Sequence, residues 1–166
     1  MAAVRVRAVM IILAAAVLGG CGFTPLYATP GVSAGLSAIE VNVPHGRTAY
    51  LLGEDLNDAL ARDRSRPADY RLDITLIEKR YPRGLNLDNT ADRYEAHLTV
   101  NYQLVQIGDG KVLKSGSAPV EVSYSASGEP YGGIVAQQDA QKRAAGQAAQ
   151  RISIDLAAYF TSQAAR

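Results

Sequence analysis

One stretch of unbroken two-residue alternation constrains this chain more than any other feature. Tyr94, Ala96, Leu98, Val100, Tyr102 and Leu104 fall on one side of an extended segment, and Arg93, Glu95, His97, Thr99, Asn101 and Gln103 on the other. A helix, with its 3.6-residue period, would scatter the apolar set around its circumference. A strand gathers it on one face. The segment therefore predicts a long strand over about 91–105 with one buried and one wet face. The sheet that holds it has cover on one side only.

Shorter signals complete the sheet. Ile39, Val41 and Val43 alternate with Glu40 and Asn42 up to Pro44, which predicts a short first strand. Tyr70, Leu72, Ile74 and Leu76 predict a second over about 69–80. Val120, Val122 and Tyr124 predict a fourth over about 111–124, entered through Gly108-Asp109-Gly110. Pro119 places that strand at an edge or a bulge. Thr48 is a candidate cap for a helix over about 49–62, with Leu52, Leu56 and Leu60 as its apolar stripe. A Ser/Gly/Pro-rich loop over 125–133 precedes an alanine-rich helix over about 134–162. In that helix Ala136, Ala140, Ala144, Ala148, Ile152, Leu156 and Phe160 recur every four residues, a small-residue stripe that lets a helix lie close to a sheet. The order β-α-β-β-β-α predicts an α+β two-layer sandwich: a four-stranded mixed sheet with two helices on one face. The first two strands run parallel through a right-handed crossover, and the last three form a meander.

The amino terminus carries different information. Arg5 and Arg7 precede eleven uncharged residues, Ala8 to Leu18. A membrane-spanning helix needs about 20, so the run fits the apolar region of a secretory signal. The string Leu18-Gly19-Gly20-Cys21 resembles the bacterial lipobox. That resemblance implies cleavage before Cys21 and acylation of its thiol, and Gly22 implies sorting to the outer membrane. More than one acyl chain gives stable anchoring. An ordinary secreted protein with a free thiol is the alternative. The expected organisation is a signal peptide over 1–20, an irregular lipidated tether over 21–36 with Phe23, Leu26 and Tyr27 as its sticky residues, and one α+β domain over 37–166.

Composition narrows the function. The chain carries +1, and losing Arg5 and Arg7 with the leader leaves 15 cations against 16 acids. Nucleic-acid binding calls for a strongly basic domain and is not expected. Cys21 is the sole cysteine, so no disulfide staples the fold. His45 and His97 are the only histidines, too few for a zinc site without cysteine partners. No P-loop or His-Glu-x-x-His string occurs. The one Gly-x-Ser-x-Gly spelling, Gly31-Val32-Ser33-Ala34-Gly35, follows no predicted strand as a nucleophile elbow would, and no catalytic residue or cofactor is expected beyond the covalent lipid on Cys21.

The string Cys21-Gly22-Phe23-Thr24-Pro25-Leu26-Tyr27, the element order, and Ile152, Leu156 and Tyr159-Phe160 after the alanine-rich stretch resemble the LPS-assembly lipoproteins, the LptE family. The resemblance implies two helices on a four-stranded sheet. It also implies residence at the outer membrane of Gram-negative cells, in the lumen of the LPS-translocon β-barrel LptD, with assistance to barrel assembly, LPS binding and no catalysis. Two other readings are an auxiliary lipoprotein of an ABC-type envelope lipid-transport complex and a lipid-anchored periplasmic hydrolase. The missing catalytic constellations weigh against the hydrolase.

Two basic groups are candidate LPS contacts. The segment Glu78 to Leu85, read as the link between strands two and three, sets Lys79, Arg80 and Arg83 beside Tyr81 and Leu85. Phosphates next to acyl chains call for charge-assisted donors next to apolar surface. A solvated hairpin loop has the same composition. Arg62, Arg64 and Arg66, with Lys111 and Lys114, are expected to share the other end of the sheet, with Asp63 and Asp69 as neutralising neighbours. The polar face, Thr75, Glu95, His97, Thr99, Asn101 and Gln103, is a candidate partner surface or simply faces water.

Overall fold

The alternating segment is a 16-residue strand, and the sheet is built around it. The computed structural model describes residues 31–85, 91–126 and 130–164. The elements run α1 (Val32–Ser37), β1 (Ile39–Asn42), α2 (Arg47–Ala59), β2 (Tyr70–Leu85), β3 (Ala91–Gln106), β4 (Val112–Ser125) and α3 (Pro130–Ala164). The four strands lie in chain order. β1 is parallel to β2, and the other neighbours are antiparallel. The fold is the α+β sandwich that the alternation requires.

Ala96, Leu98, Val100, Tyr102 and Leu104 are buried on the helix-covered side, beside Leu72 and Ile74 of β2 and Ala118, Val120, Val122 and Tyr124 of β4. α2 contributes Leu52 and Leu56, and α3 contributes Ile152 and Leu156. Each such side chain removed from water stabilises the fold by about 1.5–3 kcal/mol. The alanine stripe of α3 is buried from Ala140 through Ala149, and Gly146 faces Asp55 of α2 at a distance where a β-carbon would make ordinary contact, 3.5 Å from the carboxylate.

The structure corrects several boundaries. The tether expected to be irregular to residue 36 instead ends in a helix, α1, whose Val32 and Leu36 belong to the core. α1 docks on α3 at Gly35, where a β-carbon would sit 2.8 Å from the Phe160 ring, so only glycine permits the approach. The signal peptide and Cys21 lie outside the described residues. Thr48 is not the cap of α2. Gly46 holds that position at φ 137°, and the Thr48 hydroxyl donates across to the Glu78 carboxylate at 2.8 Å. α2 stops at Ala59, with the Arg62 amide donating back to the Asn57 carbonyl. α3 starts at Pro130, inside the expected loop, because proline suits the first turn of a helix, where its missing N–H is not needed. Pro119 sits on β4, an edge strand, and the register shift lies at Leu104/Val105 rather than at Pro119.

Candidate functional site

The largest departure from the sequence reading lies in the candidate binding segment. Glu78 to Leu85 is not a loop. The β2–β3 register continues without a break from Tyr70↔Gln106 to Leu85↔Ala91, which makes β2 16 residues long, or about 50 Å. Pro82 does not end the strand. The Tyr70 amide donates to the Ala38 carbonyl, away from β3. In an antiparallel ladder this orientation repeats every second residue. Pro82 therefore falls where its missing N–H costs no bond to β3.

Once the segment is a strand, alternation divides its cations. Lys79, Tyr81 and Arg83 lie on the open face. Arg80 lies on the helix side, where its guanidinium sits 4.8 Å from the centroid of the Tyr94 ring and donates to Gln137 Oε1 at 3.1 Å. Glu78, also on that side, accepts from Thr48 and, at 2.9 Å, from Gln141. On the open face Arg83 pairs with Glu95 at 2.7 Å. His97 lies 3.4 Å from both Glu95 and Glu121, with its ring edge-on to Tyr81 at 4.8 Å. The Arg83 hydrogen bond, followed by that of His97, holds the Glu95 carboxyl below its ordinary range. Lys79 makes no ion pair among the described residues. Ile77 and Tyr81 are exposed beside these groups, and Tyr131, Ile134 and Val135 are exposed on the first turns of α3. Of this patch only Tyr131 lies in the expected 125–133 loop, Ile134 and Val135 falling in the expected helix, and Pro130 was the one signal for the earlier start.

The other half of the open face is neutral. Asp73, Thr75, Asn101, Gln103, Ser115 and Ser117 line a trough of about 500 Å³. Asp73 is engaged by Arg71 at 2.9 Å and by the Asn42 amide at 2.8 Å. The six polar residues singled out from sequence, Thr75, Glu95, His97, Thr99, Asn101 and Gln103, all face away from the helices.

The second basic group sits at the opposite end, where the Ile107 amide reaches the Asp69 carbonyl and brings the β3–β4 turn beside the start of β2. Its members do different things. Arg62 is consumed by the backbone: it donates to the carbonyls of Ser37, Asp63 and Arg66 and ties the 61–69 connection to α1. Lys114 pairs with Asp155 at 3.0 Å. Arg64 and Lys111 are exposed and make no ion pair among the described residues. Along β2, Lys79 lies about 30 Å and Arg83 about 43 Å from Tyr70 at the other end, so one phosphorylated headgroup cannot bridge the two groups.

Beneath the sheet, the Tyr102 hydroxyl donates to Asp155, which also accepts from Lys114. Burial pushes the Asp155 carboxyl up, but these two bonds outweigh it and hold the group below its ordinary value; burial and the Asp155 contact push the Tyr102 hydroxyl far up. Among the described residues no group of three or more His, Cys, Asp or Glu is placed to hold a metal, and no helix is long and apolar enough to cross a membrane.

Several solved structures that share this architecture are of bacterial lipoproteins. A Caulobacter crescentus CB15 protein assigned as a lipoprotein is 42% identical, with 80% of this chain and 97% of that one covered and a TM-score of 0.70. A minor lipoprotein from Acinetobacter baumannii (17% identity, 72% and 90% covered, TM-score 0.58) and rare lipoprotein B from Shewanella oneidensis (16%, 75% and 96%, 0.57) share the fold. No curated protein matches. The family model for LptE, lipopolysaccharide-assembly, matches residues 36–156, and the chain belongs to that family. Its role is in LPS assembly, as a lipoprotein.

Proposed function

We propose that this chain is a non-enzymatic outer-membrane lipoprotein that seats inside an LPS-translocon β-barrel of the LptD type, helps that barrel assemble, and binds LPS on its way to the cell surface. Family membership across 36–156 carries the reading. Cys21 bears the lipid anchor, and no other cofactor takes part. The open face meets the barrel interior: its hydroxyl, amide and carboxylate groups suit the polar lumen of such a barrel.

LPS contact belongs to the distal β2–β3 hairpin. There Lys79 and Arg83 present charge-assisted donors beside exposed Ile77 and Tyr81, with Arg80 reaching from the helix side. The Arg83–Glu95 pair does not remove Arg83 from use. Its side chain is 54% exposed, and an exposed pair stabilises by about 1 kcal/mol or less, so a phosphate competes for it. Arg62 drops out as a ligand contact because three of its five N–H donors hold backbone carbonyls and fix its side chain there. Arg64 and Lys111 remain candidates only for a separate contact at the other end of the sheet.

The double variant Arg80→Ala, Arg83→Ala tests the hairpin. Two lost charge-assisted bonds, each about 1.5–3 kcal/mol at best, predict at least a roughly tenfold fall in LPS affinity with circular dichroism unchanged. Unchanged affinity in the folded double variant rejects the hairpin contact. Purification from detergent-solubilised outer membrane tests the partner: co-purification of a large β-barrel is expected, and an inner-membrane ABC complex in its place overturns the translocon assignment. Intact mass of natively made protein tests the anchor. An unacylated Cys21 overturns it.

A further inference from the structure

The two edges of the sheet are treated differently. On β4, Pro119 removes one outward N–H, and the guanidinium of Arg151 occupies the Pro119 carbonyl. Four residues on, Arg143 donates to the Ser123 carbonyl at 3.4 Å. Both arginines come from α3, so the helix that covers the sheet also blocks its edge. Proline and edge-capping charge are what natural sheets use against strand addition.

β2 lacks this protection over most of its length. β1 pairs only with Tyr70 to Asp73. The outward orientation of the Tyr70 amide recurs at every second residue, so the N–H and C=O groups of Leu76, Glu78 and Arg80 point away from β3. Beyond Ile74, whose N–H completes the bridge at Asn42↔Asp73, β1 has no partner on β2, and among the described residues no turn or loop backbone bonds to 76–85 from that side. Pro82 closes the open run at its far end.

From this we infer that the β2 edge over 76–81 accepts an extended polypeptide strand from a partner, and that the strand is acidic. Charge selects the occupant. Lys79 and Arg80 lie on this stretch and Arg83, paired with Glu95, just beyond it; against them stands one acid, Glu78, bonded by the neutral Thr48 and Gln141, so the stretch is net positive. Carboxylates on the incoming strand sit opposite cations, worth about 0.2–1 kcal/mol per cross-strand pair. A second copy added antiparallel about Arg80 sets Arg80 against Arg80, and one about Lys79 sets Lys79 against Lys79 while pairing Glu78 with Arg80, so an acidic strand from another chain matches this edge better. Main-chain bonds supply the affinity in such additions, and alternate side chains supply the preference. The strand addition itself uses the backbone edge and not LPS binding, although its acidic preference draws on the same cations, Lys79 and Arg80.

Amide exchange read by NMR on the full-length chain in detergent tests it, with an octapeptide alternating valine and glutamate as the probe. In the free protein Leu76, Glu78 and Arg80 exchange fast while Ile77 and Lys79, bonded to β3, exchange slowly. The peptide slows the three outward amides by roughly tenfold or more and leaves the alternate ones unchanged. The valine–lysine counterpart does not do so, and Leu76→Pro, which removes an outward N–H without touching the β3 ladder, abolishes the effect. Slow exchange of the three amides in the free chain, whether from self-association or internal cover, overturns the inference. So does equal protection by the lysine peptide, or peptide binding that slows no outward amide.

Discussion

The proximal and distal halves of the β2–β3 hairpin share one continuous register, yet they are covered in opposite ways. Near its start, Leu72, Ile74, Val100, Tyr102 and Leu104 are sealed beneath the helices. Towards its end β3 still buries Ala96 and Leu98, but the same-side positions of β2 carry Glu78, Arg80 and Pro82, where Glu78 accepts from Thr48 and Gln141 and Arg80 donates to Gln137. Ladder bonds extend a strand as far as register allows. Apolar burial extends only as far as the helices bring apolar side chains. Stability therefore concentrates in one half, and charge and exposed aromatic surface in the other.

Substitutions can break or sharpen that contrast. Leu104→Ala, in the sealed half, is expected to cost about 2–5 kcal/mol in denaturant unfolding. A cost below 1 kcal/mol would dissolve the distinction. Gly116→Ala acts by overpacking, because the new β-carbon would lie 2.3 Å from the Tyr102 hydroxyl. About 1–3 kcal/mol is expected in the same assay.

Asp155→Ala leaves that hydroxyl without its acceptor, at about 1–2 kcal/mol. It also carries a pH signature. The folded Asp155 carboxyl lies below its ordinary 3.8, so the stability tied to it is present above that value and is lost as pH falls through the lower folded value. The gap in melting temperature between parent and variant should narrow in acid; a gap that widens there contradicts the assigned direction. Smallest of all, Arg83→Ala should change stability by less than about 1 kcal/mol, since its ion pair with Glu95 is exposed. Differential scanning calorimetry on that variant measures how little the distal half contributes.

Legibility from sequence followed the same division. The strand over 91–105 was plain because burial on one face and water on the other write a period of two into the residues themselves. The alanine stripe of α3 was plain for the same reason, with a period of four. The distal end of β2 was not, because Lys79-Arg80-Tyr81-Pro82-Arg83 has no apolar face to reveal it. Its partners, Tyr94, Glu95 and Ala96, are supplied by the neighbouring strand. α1 was hidden by its brevity and its glycine, which is explained only by the Phe160 ring pressed against it. Lys79, Arg80 and Arg83 were found as a group, but their division between two faces was invisible until the segment was known to be extended.

By itself, the order of residues determined the layer architecture, the buried face and the element order, because each is a local periodicity read against water. Tertiary structure decided which cations stand free, which are spent on backbone carbonyls, and which sheet edge stays open. Those outcomes depend on groups far apart in the chain meeting at hydrogen-bond distance, and no local period records such a meeting.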